Sequence, residues 1–280
     1  MQSLLAHADL VDEVMPFWYE LTPAPATITY DGAEDPRVID AIRDAGVDLV
    51  PTVFGGRAGV KPRPGHVDAL VGLVLANGYD GIDLDCEALA AGDRSSFSAF
   101  VQEMGVALHE HGKVLEVAVY AKTSEPGTWN GPQAQDYAAI GAVADRVQIM
   151  GYDFHWQTSR PGPIGPRPWL EEVLAFAVTV VPASKVDLGI NLYGYDWVGE
   201  AGETVMWDDA RARAKEHGAV RNWAADDVEP WFTYVEGDES HTVWYGDAAS
   251  VAARLDLVSR NRLGGATFWR LGGEDPAVWD

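Results

Sequence analysis

Residues 80–87 read Asp80-Gly81-Ile82-Asp83-Leu84-Asp85-Cys86-Glu87. Asp83, Asp85 and Glu87 alternate with the apolar side chains of Ile82, Leu84 and Cys86. A period of two is a strand period, so the spacing predicts a strand over 81–87 with three carboxylates on one face. At a rise of about 3.3 Å per residue, successive acids stand roughly 6.6 Å apart along it. Three like charges that close do not all ionise cheaply in a confined site, and at least one is expected to hold a proton near neutral pH. That is how a fold makes a general acid from a carboxylate. A solvated strand face is the simpler reading of such alternation, but the surroundings of this strand argue against it.

Outward from this run the chain alternates short apolar strands with helical stretches, the pattern of an α/β protein with a parallel sheet. Strands are expected at 14–21, 47–54, 81–87, 114–120, 146–152, 186–192 and 265–269. Helices are expected at 35–45, 65–76, 94–111, 135–144, 168–180 and 248–260. Several strands are apolar on both faces, as a sheet covered on both sides requires. Residues 198–246 break the rhythm. They hold a helix near 208–217 and a hairpin, WFTYVEGDESHTVWYG, turning at Gly237-Asp238. The expected architecture is one domain over 1–280, a (β/α)8 TIM barrel, with 198–246 as a small α+β insertion before the last strand. About 250 residues is typical of that barrel. The strand count is one short, because the chain opens on the helix-like SLLAHADL. The first strand is therefore expected to be missing or abbreviated, unless the natural N-terminus extends upstream.

With 43 acidic against 20 basic residues, the formal net charge is −23. Such a field repels nucleic acid and anionic membrane surfaces, and a neutral or weakly charged substrate suits it better. No window approaches 18 uninterrupted apolar residues, so no membrane insertion is expected. The start, MQSLLAHADLVDE, carries no basic n-region and reads as lacking a signal peptide. A single cysteine, Cys86, excludes an internal disulfide and a cysteine-based zinc site. It is expected to be a buried, inert thiol. The seven histidines show no paired metal spacing, so neither metal nor cofactor is expected. A monomer is expected.

In a barrel of this kind reactive groups lie at the carboxyl ends of strands. Beside Glu87, those ends offer Trp18 and Tyr19 in PFWYE, Tyr120 in YAK, and Tyr152, Asp153, His155 and Trp156 in GYDFHW. Tyr193 and Tyr195 in LYGYDW and Trp269 in FWR complete the set. Aromatic rings cover the apolar faces of sugars while a few acids and amides fix the hydroxyls. The gathering of both types at several strand ends points to a carbohydrate cleft.

DGIDLDCE resembles the DxxDxDxE signature of glycoside hydrolase family 18, the chitinase-like enzymes, with all four acids in place. IMGYDFHW resembles the family's Met-x-Tyr-Asp segment, and ATFWRLGGED its last strand. A finer resemblance, over nearly the whole chain, is to the bacterial branch containing spore cortex-lytic N-acetylglucosaminidases, in PFWYEL, VAVYAKTSE, LYGYDW, HTVWYGDAAS and FWRLGGED. This resemblance implies hydrolysis of β-linked N-acetylglucosamine glycans, of peptidoglycan or chitin type, by a substrate-assisted retaining mechanism through an oxazolinium intermediate. It implies Glu87 as general acid, Asp85 as the residue orienting the substrate's acetamido group, and Asp83 as the carboxylate sharing a proton with Asp85. It further implies Tyr152 as a hydrogen-bonding partner of the acetamido group, Asp153 beside it, and Trp269 as the floor of the sugar pocket. Tyr19, Trp18, Tyr120, Tyr193 and Trp156 are expected to bind substrate, and Asp80 and Gly81 to belong to the structural part of the motif. Such substrates suggest a secreted or wall-associated protein.

The chain departs from the pattern at three positions. Gly151 stands where Ser, Thr or Ala is frequent, Gly246 where this branch often has Glu, and Tyr120 where Pro is common. Asp83-Leu-Asp85 also resembles a phosphatase nucleophile strand, but that reading needs Thr or Val in place of Glu87. A calcium loop fails because the acids alternate along a strand. The alternative of a different class is a catalytically weak or inactive carbohydrate-binding protein on the same scaffold.

Overall fold

A computed structural model describes residues 2–24, 27–56 and 64–280. It is a mixed α/β structure with parallel strands, and the chain divides into two compact units, Met1–Ile149 with Phe176–Val186, and Met150–Ala175 with Asp187–Asp280.

In the first unit, strand Gly81–Asp85 pairs in parallel with Thr52–Phe54 on one side and with Val114–Tyr120 on the other. Thr52–Phe54 pairs in parallel with Phe17–Leu21. The strand expected over 14–21 is present but interrupted: a two-residue piece, Glu13–Val14, pairs with Asp48–Leu49 before the chain resumes at Phe17. Pro16 lies in the interruption, and proline cannot donate to a ladder, although its carbonyl still accepts from the Thr52 amide at 2.9 Å. Thr27–Thr29, not foreseen from sequence, adds an antiparallel edge to Phe17–Leu21. The chain's opening is helical at Gln2–Ala6, as its pattern implied.

Alternation along the acidic strand sorts its side chains as expected. Ile82, Leu84 and Cys86 are buried, as are Leu70 and Val74 of helix Pro64–Asn77 and Phe97, Val101 and Met104 of helix Arg94–His109. Burying one such aliphatic side chain contributes about 1.5–3 kcal/mol. Gly81 is required by contact, since a Cβ there would collide with the Val114 carbonyl oxygen. Asp80 fixes the strand's entry: its amide donates to the Leu49 carbonyl, and its Oδ2 accepts from the Leu49 amide at 2.9 Å.

The second unit contains residues Asp187–Asn191 of strand Val186–Asn191, paired in parallel with Gly265–Trp269. It also contains a five-stranded antiparallel sheet in the order Ala201–Met206, Tyr193–Val198, Glu239–Tyr245, Glu229–Glu236, Asn222–Ala224. The hairpin pairs Glu236 with Glu239 and turns at Gly237-Asp238, with Gly237 supplying a positive φ of 61°. The antiparallel sheet begins at Tyr193, so LYGYDW is one of its strands. Helix Trp207–Glu216 contributes Ala210 to an apolar cluster with Val205, Phe232, Tyr234, Val243 and Tyr245 on one face of this sheet. Tyr193, Tyr195, Trp197 and Ile164 form a second cluster, which Tyr152 and Trp244 flank.

Candidate active site

The regular strand ends at Asp85, two residues earlier than its alternation implies, and Glu87 lies just beyond it. The segment still runs along its neighbour, because the Gly55 amide donates to the Asp85 carbonyl and the Ala88 amide to the Gly55 carbonyl. Cys86 fills the space against Gly55, where a Cβ would lie 3.0 Å from its Sγ. Burial pushes its thiol pKa up, which suits an inert packing residue.

Asp83 is buried. Its Oδ2 accepts from the Thr52 hydroxyl at 2.8 Å, and its Oδ1 has no partner among the described residues. Burial, opposed by the Thr52 bond and reinforced by Glu13, pushes its pKa up to about 7. Asp85 is half-buried at the end of the strand, yet its Oδ1 also lacks a partner among the described residues, and its pKa is raised well above the usual range by desolvation, then by the charges of Glu87 and Asp83. The expectation that a carboxyl of this run is protonated near neutral pH thus has a structural basis. The Glu87 Oε2 accepts from the Tyr120 hydroxyl at 2.7 Å.

Level with Asp83 on the adjacent strand lies its register partner Glu116, buried and bonded to the Gln148 side chain. Neither it nor Thr52 was singled out from sequence. An acid inside the apolar run VLEVAVY was a visible signal for Glu116. Nothing local marks Thr52, whose role depends on its pairing with Asp83. Trp129 was also missed. It is 51% exposed and packs edge-on against Tyr120, with ring centroids 4.5 Å apart.

In the second unit, Asp153 sits at a left-handed φ of 57° and accepts hydrogen bonds from Tyr193 at 2.5 Å and Tyr195 at 3.0 Å. Burial raises its pKa while these two hydroxyls lower it. Tyr152 packs edge-on against Tyr193 at 6.2 Å. Gly151 admits no side chain, because a Cβ would lie 2.5 Å from the Gly189 carbonyl oxygen. Gly246 is equally closed, at 2.6 Å from the Asn191 carbonyl oxygen. Both departures from the family pattern are therefore packed as glycines here. Trp269 is 38% exposed, and Trp156 is 49% exposed with its indole N–H on Thr158. Asn191 Oδ1 and Thr267 Oγ1 are buried without partners among the described residues.

The other expected sugar-binding aromatics have different surroundings. Tyr19 is fully buried, its hydroxyl donating to Glu34 and bonded to the Tyr79 hydroxyl. Trp18 packs at 6.2 Å against the same Tyr79. Tyr193 is buried with its hydroxyl on Asp153. A ring with no accessible face has nothing to offer a sugar, whereas Trp129 in the first unit and Trp156 and Trp269 in the second are exposed. Among the described residues no cluster of three or more His, Cys, Asp or Glu could hold a metal ion, and no helix is long and apolar enough to cross a membrane.

The strand of crowded carboxylates and the parallel α/β framework carrying it are those of a glycan-cleaving enzyme family. Residues 60–274 match Glycosyl hydrolases family 18, and the chain belongs to that family. The uncharacterized glycosylase YvbX of Bacillus subtilis is 32% identical over 246 residues, covering 86% of this chain and 70% of that protein. The cortical fragment-lytic enzyme of Bacillus subtilis is 31% identical over 211 residues, covering 72% of this chain and 48% of that protein. The chain spans about half the length of several of the curated relatives it matches. Among solved structures, a chitinase from Chromobacterium violaceum ATCC 12472 superposes with a TM-score of 0.92 at 32% identity, over 99% of this chain and 92% of that one.

Proposed function

We propose that this protein hydrolyses β-linked N-acetylglucosamine-containing glycans with retention of configuration, the substrate's own acetamido oxygen acting as nucleophile. The observation that carries the reading is the pair of raised carboxyls, buried Asp83 and half-buried Asp85, on the strand that leads to a Glu87 held by Tyr120. Glu87 protonates the leaving glycosidic oxygen and then, as carboxylate, activates water. Asp85, protonated through its sharing with Asp83, has a proton to donate. It hydrogen-bonds the acetamido group and orients its oxygen toward the anomeric carbon, where an oxazolinium ion forms. No enzymatic nucleophile is needed, which suits acids crowded on one strand.

Tyr152, Asp153, Trp269 and Trp156 are proposed substrate-binding residues on the family resemblance. Family membership also supports a (β/α)8 barrel over 1–280 as the complete fold, with the antiparallel sheet as its α+β insertion. Peptidoglycan-type strands are the favoured substrate, supported by the likeness to the cortical fragment-lytic enzyme.

Hydrolysis of N-acetylglucosamine oligomers and of peptidoglycan by wild type and Glu87→Gln tests the reading. Turnover by wild type and its loss in Glu87→Gln is the expected result, and equal rates would remove Glu87 from the role. Proton NMR of the first product distinguishes mechanisms: the β-anomer is expected, and an initial α-anomer excludes the acetamido nucleophile.

A further inference from the structure

Every polar atom of Tyr120 is hydrogen-bonded. Its amide donates to Gln135 Oε1 at 2.7 Å, and its carbonyl accepts from the Tyr137 hydroxyl at 2.6 Å. Its own hydroxyl donates to Glu87 Oε2 at 2.7 Å. Gln135 reaches the other side as well, since its Nε2 donates to the carbonyl of Cys86, the residue before Glu87. One buried amide thus ties the ends of two adjacent strands together. Gln135 is in turn held by the buried Lys122, whose ammonium bonds the Gln135 and Pro132 carbonyls and Glu125 and lies over the Tyr137 ring. The Tyr120 ring is confined by Trp129 and by the backbone at Gly131, where a Cβ would lie 2.5 Å from it.

A residue immobilised in this way acts on whatever its hydroxyl touches. We propose that Tyr120 is a positioning residue for Glu87, fixing the rotation of its carboxyl group and stabilising the carboxylate that remains once the proton has been delivered. The proposal rests on Glu87 being the general acid. Its physical content is that a hydrogen bond donated to the charged form of an acid favours that form and strengthens the acid. The phenol does not compete as an acid, because burial and the charge of Glu87 keep it neutral. A sugar-stacking role, by contrast, would engage the ring face and leave the titration of Glu87 untouched.

Tyr120→Phe keeps the ring and removes only the hydroxyl. Without its donor Glu87 is a weaker acid, so the basic limb of the kcat/KM profile moves up by roughly half to one pH unit. The loss of orientation lowers kcat about tenfold with KM changed less than about twofold. Incorporation of 3-fluorotyrosine at position 120, a stronger donor, moves the limb in the opposite direction. Carbon-13 NMR titration of the Glu87 carboxyl in the free protein, identified by its loss in Glu87→Gln, reads the same shifts without any substrate. An unmoved Glu87 titration in both variants, or a change confined to KM, overturns the proposal. If wild type turns over no glycan while the titration still shifts, the functional reading fails and the Tyr120–Glu87 coupling stands. Thermal unfolding of each variant confirms that native protein is being titrated.

Discussion

Two groups of acids shielded from solvent to different degrees, one in each unit, are treated in opposite ways. In the first, Asp83 and Asp85 each leave an Oδ1 without a partner among the described residues, and the neighbours of Asp85 are other carboxylates. In the second, Glu229 is fully buried, but both its oxygens are engaged. Oε2 accepts from the amides of Ile164 and Gly165, and Oε1 meets Asn191 and, at 3.3 Å, Arg254. Asp196, also in the second unit, accepts from Tyr234 and Arg213 on one oxygen, with His241 Nδ1 2.9 Å from the other. Burial raises the pKa of Glu229 as it does that of Asp85. At Glu229 every other contribution pulls back down, whereas at Asp85 every other contribution pushes further up. A buried acid whose needs are met holds structure together. One whose needs are left open is poised to exchange a proton or meet a substrate.

That contrast is open to direct attack, beginning with Glu87→Gln. We expect a loss of about 10³-fold or more in kcat from removal of a general acid, with unfolding unchanged within about 1 kcal/mol. A comparable loss of stability would mean that Glu87 belongs with the structural acids. The opposite outcome is expected for Arg254→Met, which strands Glu229 as an unpaired buried charge and should cost about 3–5 kcal/mol in chemical denaturation. Asp85→Asn should be neutral or stabilising in the same measurement, while slowing kcat much more than it alters KM. If Arg254→Met and Asp85→Asn destabilise equally, the distinction between the two groups collapses.

A third expectation concerns pH. Because the folded pKa of Asp83 is raised above its unfolded value, the folded protein holds a proton that the unfolded chain releases. The associated stability is complete below about pH 4 and is lost as pH rises to about 7, by up to roughly 4 kcal/mol. Denaturation midpoints across that range should fall with pH from this source, and Asp83→Asn should flatten the slope. An identical slope in the variant would assign it elsewhere. The smallest effect is reserved for an acid of neither group. Asp256 pairs with Arg260 one helical turn away at 2.6 Å on an exposed surface, so Asp256→Ala should change stability by less than about 0.5 kcal/mol and activity not at all.

Much of the acidic site is legible in the order of its residues because its information is local. Alternation over Ile82–Glu87 separates core from carboxylates, and the strand period enforces that sorting whatever the neighbours are. The same holds for the apolar strands 114–120 and 265–269, for the helices that cover them, and for the hairpin at Gly237-Asp238. Tyr19 and Tyr193 read as sugar-binding rings because an aromatic at a strand end looks the same in sequence whether its face is open or closed. Only packing against Tyr79 and Asp153 tells the difference.

Short-range periodicity and a contiguous motif were therefore enough for the type of framework, the family and the identity of the acids. Which groups meet was left to the tertiary structure. It paired Thr52 with Asp83 and Glu116 with Gln148, closed Gly151 and Gly246 to any side chain, and put the Tyr120 hydroxyl on Glu87. Those contacts join residues from 32 to 33 positions apart in two of the cases and depend on strand register. Register is set by the burial of whole elements, so no local pattern encodes it.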